Sequence, residues 1–279
     1  MKNLRFVLVL ALTLALFQSC TKEETTDPQG REAPELPAQE AFVMTFTDFT
    51  ESDTTAVSRG QSSSASNTYW HWLYAAGNLV GWNTAIVLST GLPTLAFFES
   101  FNHRPEYQGD GIWLWSYDVT GYDGSVYSAE LFAELLPSDQ VSWEMYLSKV
   151  GGFSRVKWYT GVTENDGSGA VWTLYHRPFA AALPVLEARF SRDLDSGVKT
   201  MRYTNISAND DDRGDYIEYR ELPGAAFSRG YDVYRIVEDN LLEIQWNEGA
   251  KNGRIRDLAH YGDSDWRCWN GEYRDVDCQ

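Results

Sequence analysis

From Ile112 onward the chain repeats one constraint about ten times: a run alternating apolar and polar residues, then a short turn-forming break. Val141, Trp143, Met145 and Leu147 fall on one side of such a run, with Ser142, Glu144, Tyr146 and Ser148 opposite. Leu242, Ile244 and Trp246 likewise oppose Glu243, Gln245 and Asn247. A period of two is the period of a strand with one buried face. The runs cover 112–119, 125–135, 141–150, 154–163, 169–177, 185–193, 197–207, 215–221, 230–238 and 241–248. Asn165-Asp166-Gly167, Asp195-Ser196-Gly197 and Asp239-Asn240 between them carry hairpin chemistry. Connections this short join antiparallel neighbours, since parallel ones need long crossovers. A mainly β (α+β) fold is therefore expected: a strongly curved antiparallel meander of about ten strands, closed as a barrel or half-barrel.

What that sheet wraps is indicated by Trp72 to Phe98, which contains no charged side chain. Asn78 and Asn83 lie inside the run, Gly91 and Pro93 interrupt it, and no basic cluster flanks it, all of which disfavour a membrane span. Two consecutive buried helices, 70–90 and 92–102, are expected instead, forming an apolar helical pair under the sheet. Leu79, Val80, Trp82, Ile86 and Phe97 would line any cavity between the two layers. Further upstream, Phe42 to Phe49 has the alternation of a first strand, and Glu51 to Thr68 reads as a Ser/Thr-rich loop.

The formal charge of −17 excludes a phosphate-backbone partner, because nucleic acid binding needs a basic patch to release counterions. Three cysteines are present, at 20, 268 and 278. In an oxidising compartment Cys268 and Cys278, ten positions apart at the chain's end, are expected to form a disulfide. A metal site at that pair fails on ligand count, since His260 alone cannot complete a tetrahedron. No cofactor is expected.

The N-terminus supplies the address. Lys2 and Arg5 precede an apolar run at 6–17, which ends in Leu16-Phe17-Gln18-Ser19-Cys20. A basic start, a short apolar core and a small residue before the cut describe a secretory signal. The cysteine directly after Ser19 resembles the lipobox of bacterial lipoproteins. Phe17 and Gln18 depart from its commonest form and look like the Bacteroidota variant. The resemblance implies a signal peptide at 1–19, cleavage before Cys20, and lipid (palmitate included) on the Cys20 thiol and amine. Loss of Lys2 and Arg5 with the leader takes the charge from −17 to −19. Residues 20–40, rich in Glu, Thr and Pro, read as a disordered tether, and 41–279 as a single β-rich domain. Lys22-Glu23-Glu24 resembles the surface-export signal of the same group of lipoproteins, favouring the cell surface over the periplasmic side of the outer membrane. Asp53-Thr54-Thr55 resembles the short O-glycosylation motif of that group. Gly262-Asp263-Ser264-Asp265-Trp266-Arg267-Cys268-Trp269 with Asp275-Val276-Asp277-Cys278 looks like the ending of uncharacterised Bacteroidota lipoproteins, a likeness that assigns no activity. A curled antiparallel sheet over helices resembles the Lol-type lipoprotein carriers in architecture, over about 70–250, without a shared motif.

Catalytic constellations find little support. There is no Gly-x-Ser-x-Gly elbow, phosphate loop or two-histidine metal motif, and the histidines are His71, His103, His176 and His260 alone. Asp110, Asp118 and Asp123 around Trp113-Leu114-Trp115 are the first suspects for a glycosidase carboxylate pair, against a solvated strand face. Asn209 to Asp215 offers oxygen ligands with a glycine turn, but Arg213 stands where a calcium ligand belongs, so an acidic hairpin loop is the simpler reading. Eleven Trp and sixteen Tyr fit either core or a sugar-stacking surface. Trp266 and Trp269, outside the strand runs, are the expected exposed platform. The functional expectation is a non-enzymatic, outer-membrane-anchored binding module for an apolar or amphipathic ligand, with Trp82, Ile86 and Phe97 lining its site. A carbohydrate-binding surface lipoprotein using Trp266 and Trp269 stands beside it, and a glycoside hydrolase-like enzyme behind both. Oligomeric state and partner proteins stay open.

Overall fold

The computed structural model of the chain describes Gly30 and residues 32–43, 68–175 and 183–278. The expected leader with Cys20, the greater part of the expected first strand, the Ser/Thr-rich loop up to Asn67, and His176 lie outside the described residues.

Alternation is realised as a single antiparallel sheet in which every strand pairs with its sequence neighbours. Its members are β1 (Glu106–Gly109), β2 (Ile112–Thr120), β3 (Val126–Leu136), β4 (Gln140–Lys149), β5 (Val156–Glu164), β6 (Gly169–Tyr175), β7 (Pro184–Arg192), β8 (Lys199–Asn205), β9 (Tyr216–Glu221), β10 (Arg229–Arg235), β11 (Asn240–Trp246), β12 (Gly253–Asp257), β13 (Arg267–Trp269) and β14 (Asp275–Val276). Two expectations are corrected here. The sheet has fourteen strands where ten were expected, and it is unclosed, with β1 and β14 as free edges, so it is not a barrel. Both edges are short, which limits the row of unpaired backbone groups offered to another chain.

One face of the sheet is dry. Trp113, Trp115, Trp143, Trp172, Trp246, Tyr159, Tyr203 and Tyr231 all point into it. Two glycines make room for this much ring. Gly161 pairs with Trp172 across β5–β6 and Gly253 with Trp269 across β12–β13. A Cβ at either would meet the indole at 2.1 or 2.2 Å, so the indole lies directly on bare backbone. The opposite face carries a charged row, Arg202↔Glu218↔Asp232↔Glu243↔Arg256 across β8 to β12.

Against the dry face lies α1 (Trp70–Ser100), one continuous helix where two were expected. Its arms, Trp70–Val87 and Thr90–Ser100, meet at 67°. Pro93 explains the place of the bend: without an N–H it leaves the carbonyl four residues back, at Ser89, without its helical partner, and its ring crowds that carbonyl. No single helix among the described residues is long and apolar enough to cross a membrane; the two arms pass that test only together. α1 touches β2 and also β12, β13 and β14. A flat sheet would hold β2 and β13 ~50 Å apart, at ~4.8 Å per strand. The residues from Trp72 to Phe97 reach ~37 Å at most, even as a straight helix. The sheet therefore curls around its helix.

Residues 32–43, the far end of the stretch expected to be tether and the start of an expected strand, join the core instead. After a 3-10 turn at Gln39–Ala41, Phe42 adopts helical backbone angles rather than extended ones. Trp172 Nε1 donates to the Ala41 carbonyl at 2.6 Å and the Tyr203 hydroxyl to the Phe42 carbonyl at 3.0 Å. The Phe42 ring stacks on Phe97 at 4.7 Å.

Candidate functional site

Helix α1 is held at both ends. At its start, Trp72 packs near-parallel to both Trp246 (5.3 Å) and Tyr273 (4.5 Å), which lie 6.4 Å from each other, with Trp269 tilted against it. Asp275 of β14 caps the helix from 200 residues away: its carboxylate accepts from the Trp70 and His71 backbone N–H groups at 3.1 Å each and from the Thr68 hydroxyl. Cys268 and Cys278 bring their sulfurs to bonding distance with Cα atoms 5.2 Å apart, tying β13 to the chain just past β14. Asp257 is nearly inaccessible, accepting from Tyr74 Oη (2.6 Å), Asn240 Nδ2 (2.8 Å) and the His260 N–H that begins α2 (Leu258–Tyr261). Burial and this carboxylate together push the Tyr74 hydroxyl well above its usual range. Tyr261, beside His71, is pushed up to about 12, chiefly by burial. At the other end, Phe97 meets Phe42 and Trp172, and the Tyr117 hydroxyl donates to the Ala96 carbonyl at 2.6 Å.

Between these anchors one face of the helix is uncovered, while Leu79 and Ile86 in the same span stay buried. Val80 is 46 % and Val87 49 % exposed, and Gly77, Gly81 and Ala85 face solvent too. A groove of about 580 Å³ opens beside this span, within the size range of small-molecule sites. Its helical wall is Gly77, Asn78, Gly81, Trp82, Ala85 and Ile86, and Val185 and Leu186 of β7 oppose them. No atom lies within 4 Å of where a Cβ would stand on Gly77 or Gly81, so the glycines widen the groove rather than admit a neighbour.

The rim is polar and comes from the β8–β9 connection. Asn205, Ser207, Asp210, Asp212 and Asp215 line it, with Arg235 at the end of β10. Asp210 braces the loop, accepting from Asn205 Nδ2 at 2.8 Å and from the Asp212 N–H, contacts that hold its carboxyl below the usual range. Asp215 accepts from the Ile236 N–H at 2.7 Å, yet burial, with Asp212 and Glu238 adding repulsion, raises its carboxyl. Asp212 serves the loop through backbone only, its N–H bonded to Asp210 and its carbonyl to the Asp215 N–H. Arg235 is already engaged, by Glu238 at 3.4 Å and by Asn78 Oδ1 at 3.0 Å.

Of the residues singled out from sequence, Trp82 and Ile86 lie in this groove, and the Asn209–Asp215 loop forms its rim. Phe97 does not: it is fully buried in the packed layer, as is Leu79. Trp269 is 1 % exposed and forms part of the core, so it cannot be a platform. Trp266 is half-buried, with the guanidinium groups of Arg254 and Arg256 at 4.2 and 4.6 Å from its ring. Asp110 and Asp118 sit at opposite ends of β2, and Asp123 is exposed in the next turn, bonded to Ser125 and Lys149, so the three form no cleft. Among the described residues no three His, Cys, Asp or Glu side chains converge to hold a metal ion. Sequence reading missed Asn205, Ser207 and Arg235, for which no local pattern signals a site.

The outer face carries a smaller hollow of about 290 Å³. Phe132 and Tyr146 meet there edge to face at 6.0 Å beside Glu134 and Glu144. Arg155 lies 4.3 Å from the Tyr146 ring centroid and pairs with Glu130. Lys157 pairs with Glu144 at 2.7 Å.

No family model matches the chain, and neither a curated protein nor a solved structure does. Its function rests on the geometry above.

Proposed function

We propose that the chain is a non-enzymatic binding protein, anchored to the outer membrane through lipid on Cys20, that holds an apolar or amphipathic ligand beside its bent helix. In this reading the sheet is a half-barrel, open on the side where α1 leaves its middle uncovered. The observation that carries it is the groove of about 580 Å³, apolar along Trp82, Ile86, Val185 and Leu186 and polar along one rim. Such a wall gains from burying an acyl or aromatic group, at ~25 cal/mol per Å² of apolar surface covered. The carboxylates supply polar contacts, while among the described residues no acid pair in a closed cleft recommends hydrolysis.

The test is native mass spectrometry of the exported chain carrying Cys20→Ser, purified without detergent. A retained adduct in the mass range of an amphiphile, lost in Gly81→Leu, is the expected outcome. An apo mass, with no uptake of added alkyl amphiphiles, would sink the reading.

Carbohydrate binding at the cell surface is the second reading, now carried by Phe132 and Tyr146 rather than by Trp266 and Trp269. Aromatic rings beside carboxylates suit sugar stacking, but Arg155 lies over both rings and a sugar would have to displace it. Glycan-array binding abolished by Tyr146→Ala would move the site to this face.

A further inference from the structure

Building on the groove reading, we infer that the groove selects amphiphiles with a cationic head, an amine in particular, over neutral or anionic ones of the same chain length. Three carboxylates, from Asp210, Asp212 and Asp215, line one rim, and an apolar wall lies opposite. The ligand fitting both carries a positive head on an apolar tail. Asp212 is the free hand among the three, since Asp210 and Asp215 also hold backbone in place. No lysine or arginine among the described residues pairs with any of the three.

The competing assignment makes Arg235 the anchor for a carboxylate head. Its guanidinium, however, is shared between Glu238 and Asn78, and an entering anion would also face the rim aspartates. At Asp215 burial is the main cause raising the carboxyl, and Asp212 and Glu238 repel it while Arg235 and the Ile236 N–H pull the other way. The net charge of −17 extends that field outward and steers cations toward the surface.

Calorimetric titration of the exported Cys20→Ser chain with decylamine, decanol and decanoate, each below its micellar concentration, separates the possibilities. Decylamine is expected to bind at least ~10-fold more tightly than decanol, a difference of ~1.4 kcal/mol, with decanoate weakest. The margin should shrink as salt is raised. Asp212→Asn should bring the amine's affinity toward that of the alcohol; Asp212→Ser serves if the amide disturbs the loop. Equal affinity for all three would overturn the charge selection and leave the groove reading standing. Tighter binding of decanoate would overturn it in favour of Arg235. Binding of none would remove the groove reading itself.

Discussion

The first two turns of α1 and the three that follow are equally free of charged side chains, yet the first, rich in aromatic rings, packs Trp72 into the core while the second, carrying Gly77 and Gly81, leaves one face open. Trp72 is buried because β11, β13 and the β13–β14 turn present Trp246, Trp269 and Tyr273 to it, and Ala75 and Ala76 are buried beside it. Along the open face from Gly77 to Ile86 the opposing surface is the ends of β7 and β8 and an aspartate-bearing loop, which leaves the groove unfilled. Burial along an uncharged helix thus follows both the side chains it carries and what the sheet offers them. The open face is where the proposed ligand would sit.

Four substitutions sharpen that contrast. The largest effect is expected at Trp72→Ala, which removes the central ring of the sealed end: ~3–5 kcal/mol of stability, read as a lower denaturant midpoint. Trp82→Ala, in the open span, should cost far less. A smaller, more pointed difference separates two glycines. Gly253→Ala would place a methyl 2.2 Å from Trp269 and 2.6 Å from the Gln245 carbonyl, and should cost ~1–3 kcal/mol. Gly81→Ala meets nothing and removes a helix-weakening residue, so it should add ~0.5–1 kcal/mol. If both glycines behaved alike, the distinction between sealed and open spans would collapse.

The smallest effect is a pH dependence at the sealed end. His71 is held below its ordinary value of 6.5, first by burial and then by Arg267 and His260, against the pull of Asp275. The Tyr261 hydroxyl shares its Nδ1, and Tyr74 stacks on His260 nearby. A lowered histidine favours the neutral form in the fold. Its contribution is therefore fully present above about pH 6.5 and is lost as pH falls from there through the folded-state value. His71→Gln should flatten the stability profile between pH 7 and 5. Asp257, held low by its hydrogen bonds despite burial, acts in the carboxylate range below and keeps its slope in that variant.

Most of the sheet was legible because its alternation is carried by large side chains with turn residues between them. β2 to β11 fall within a few residues of the ten expected runs. The missed strands fail that test for physical reasons. β12 reads Gly-Arg-Ile-Arg-Asp, with a glycine and a hydrogen-bonded aspartate at inward positions where apolar residues were sought. β1, β13 and β14 are at most four residues long. Trp269 was misjudged for a related reason: its burial depends on a bare glycine on the adjacent strand, which no local pattern announces. As for the groove, Trp82, Ile86 and the Asp210–Asp215 loop were each noticed, but their meeting across more than 120 residues follows only from the curl of the sheet.

That consecutive strand order has a consequence for how the molecule is assembled. Each strand finds its partner in the chain segment just made, so the sheet can grow by zipping, with little long loop closure. The cap on α1 is the exception: Thr68 and Asp275 are 207 positions apart. Until the last few residues arrive, the first helix has neither its cap nor the Tyr273 ring against Trp72. The far end of the chain acts as a completion signal, and a copy cut short before Asp275 would carry nearly the whole sheet and still lack the latch that fixes the helix to it.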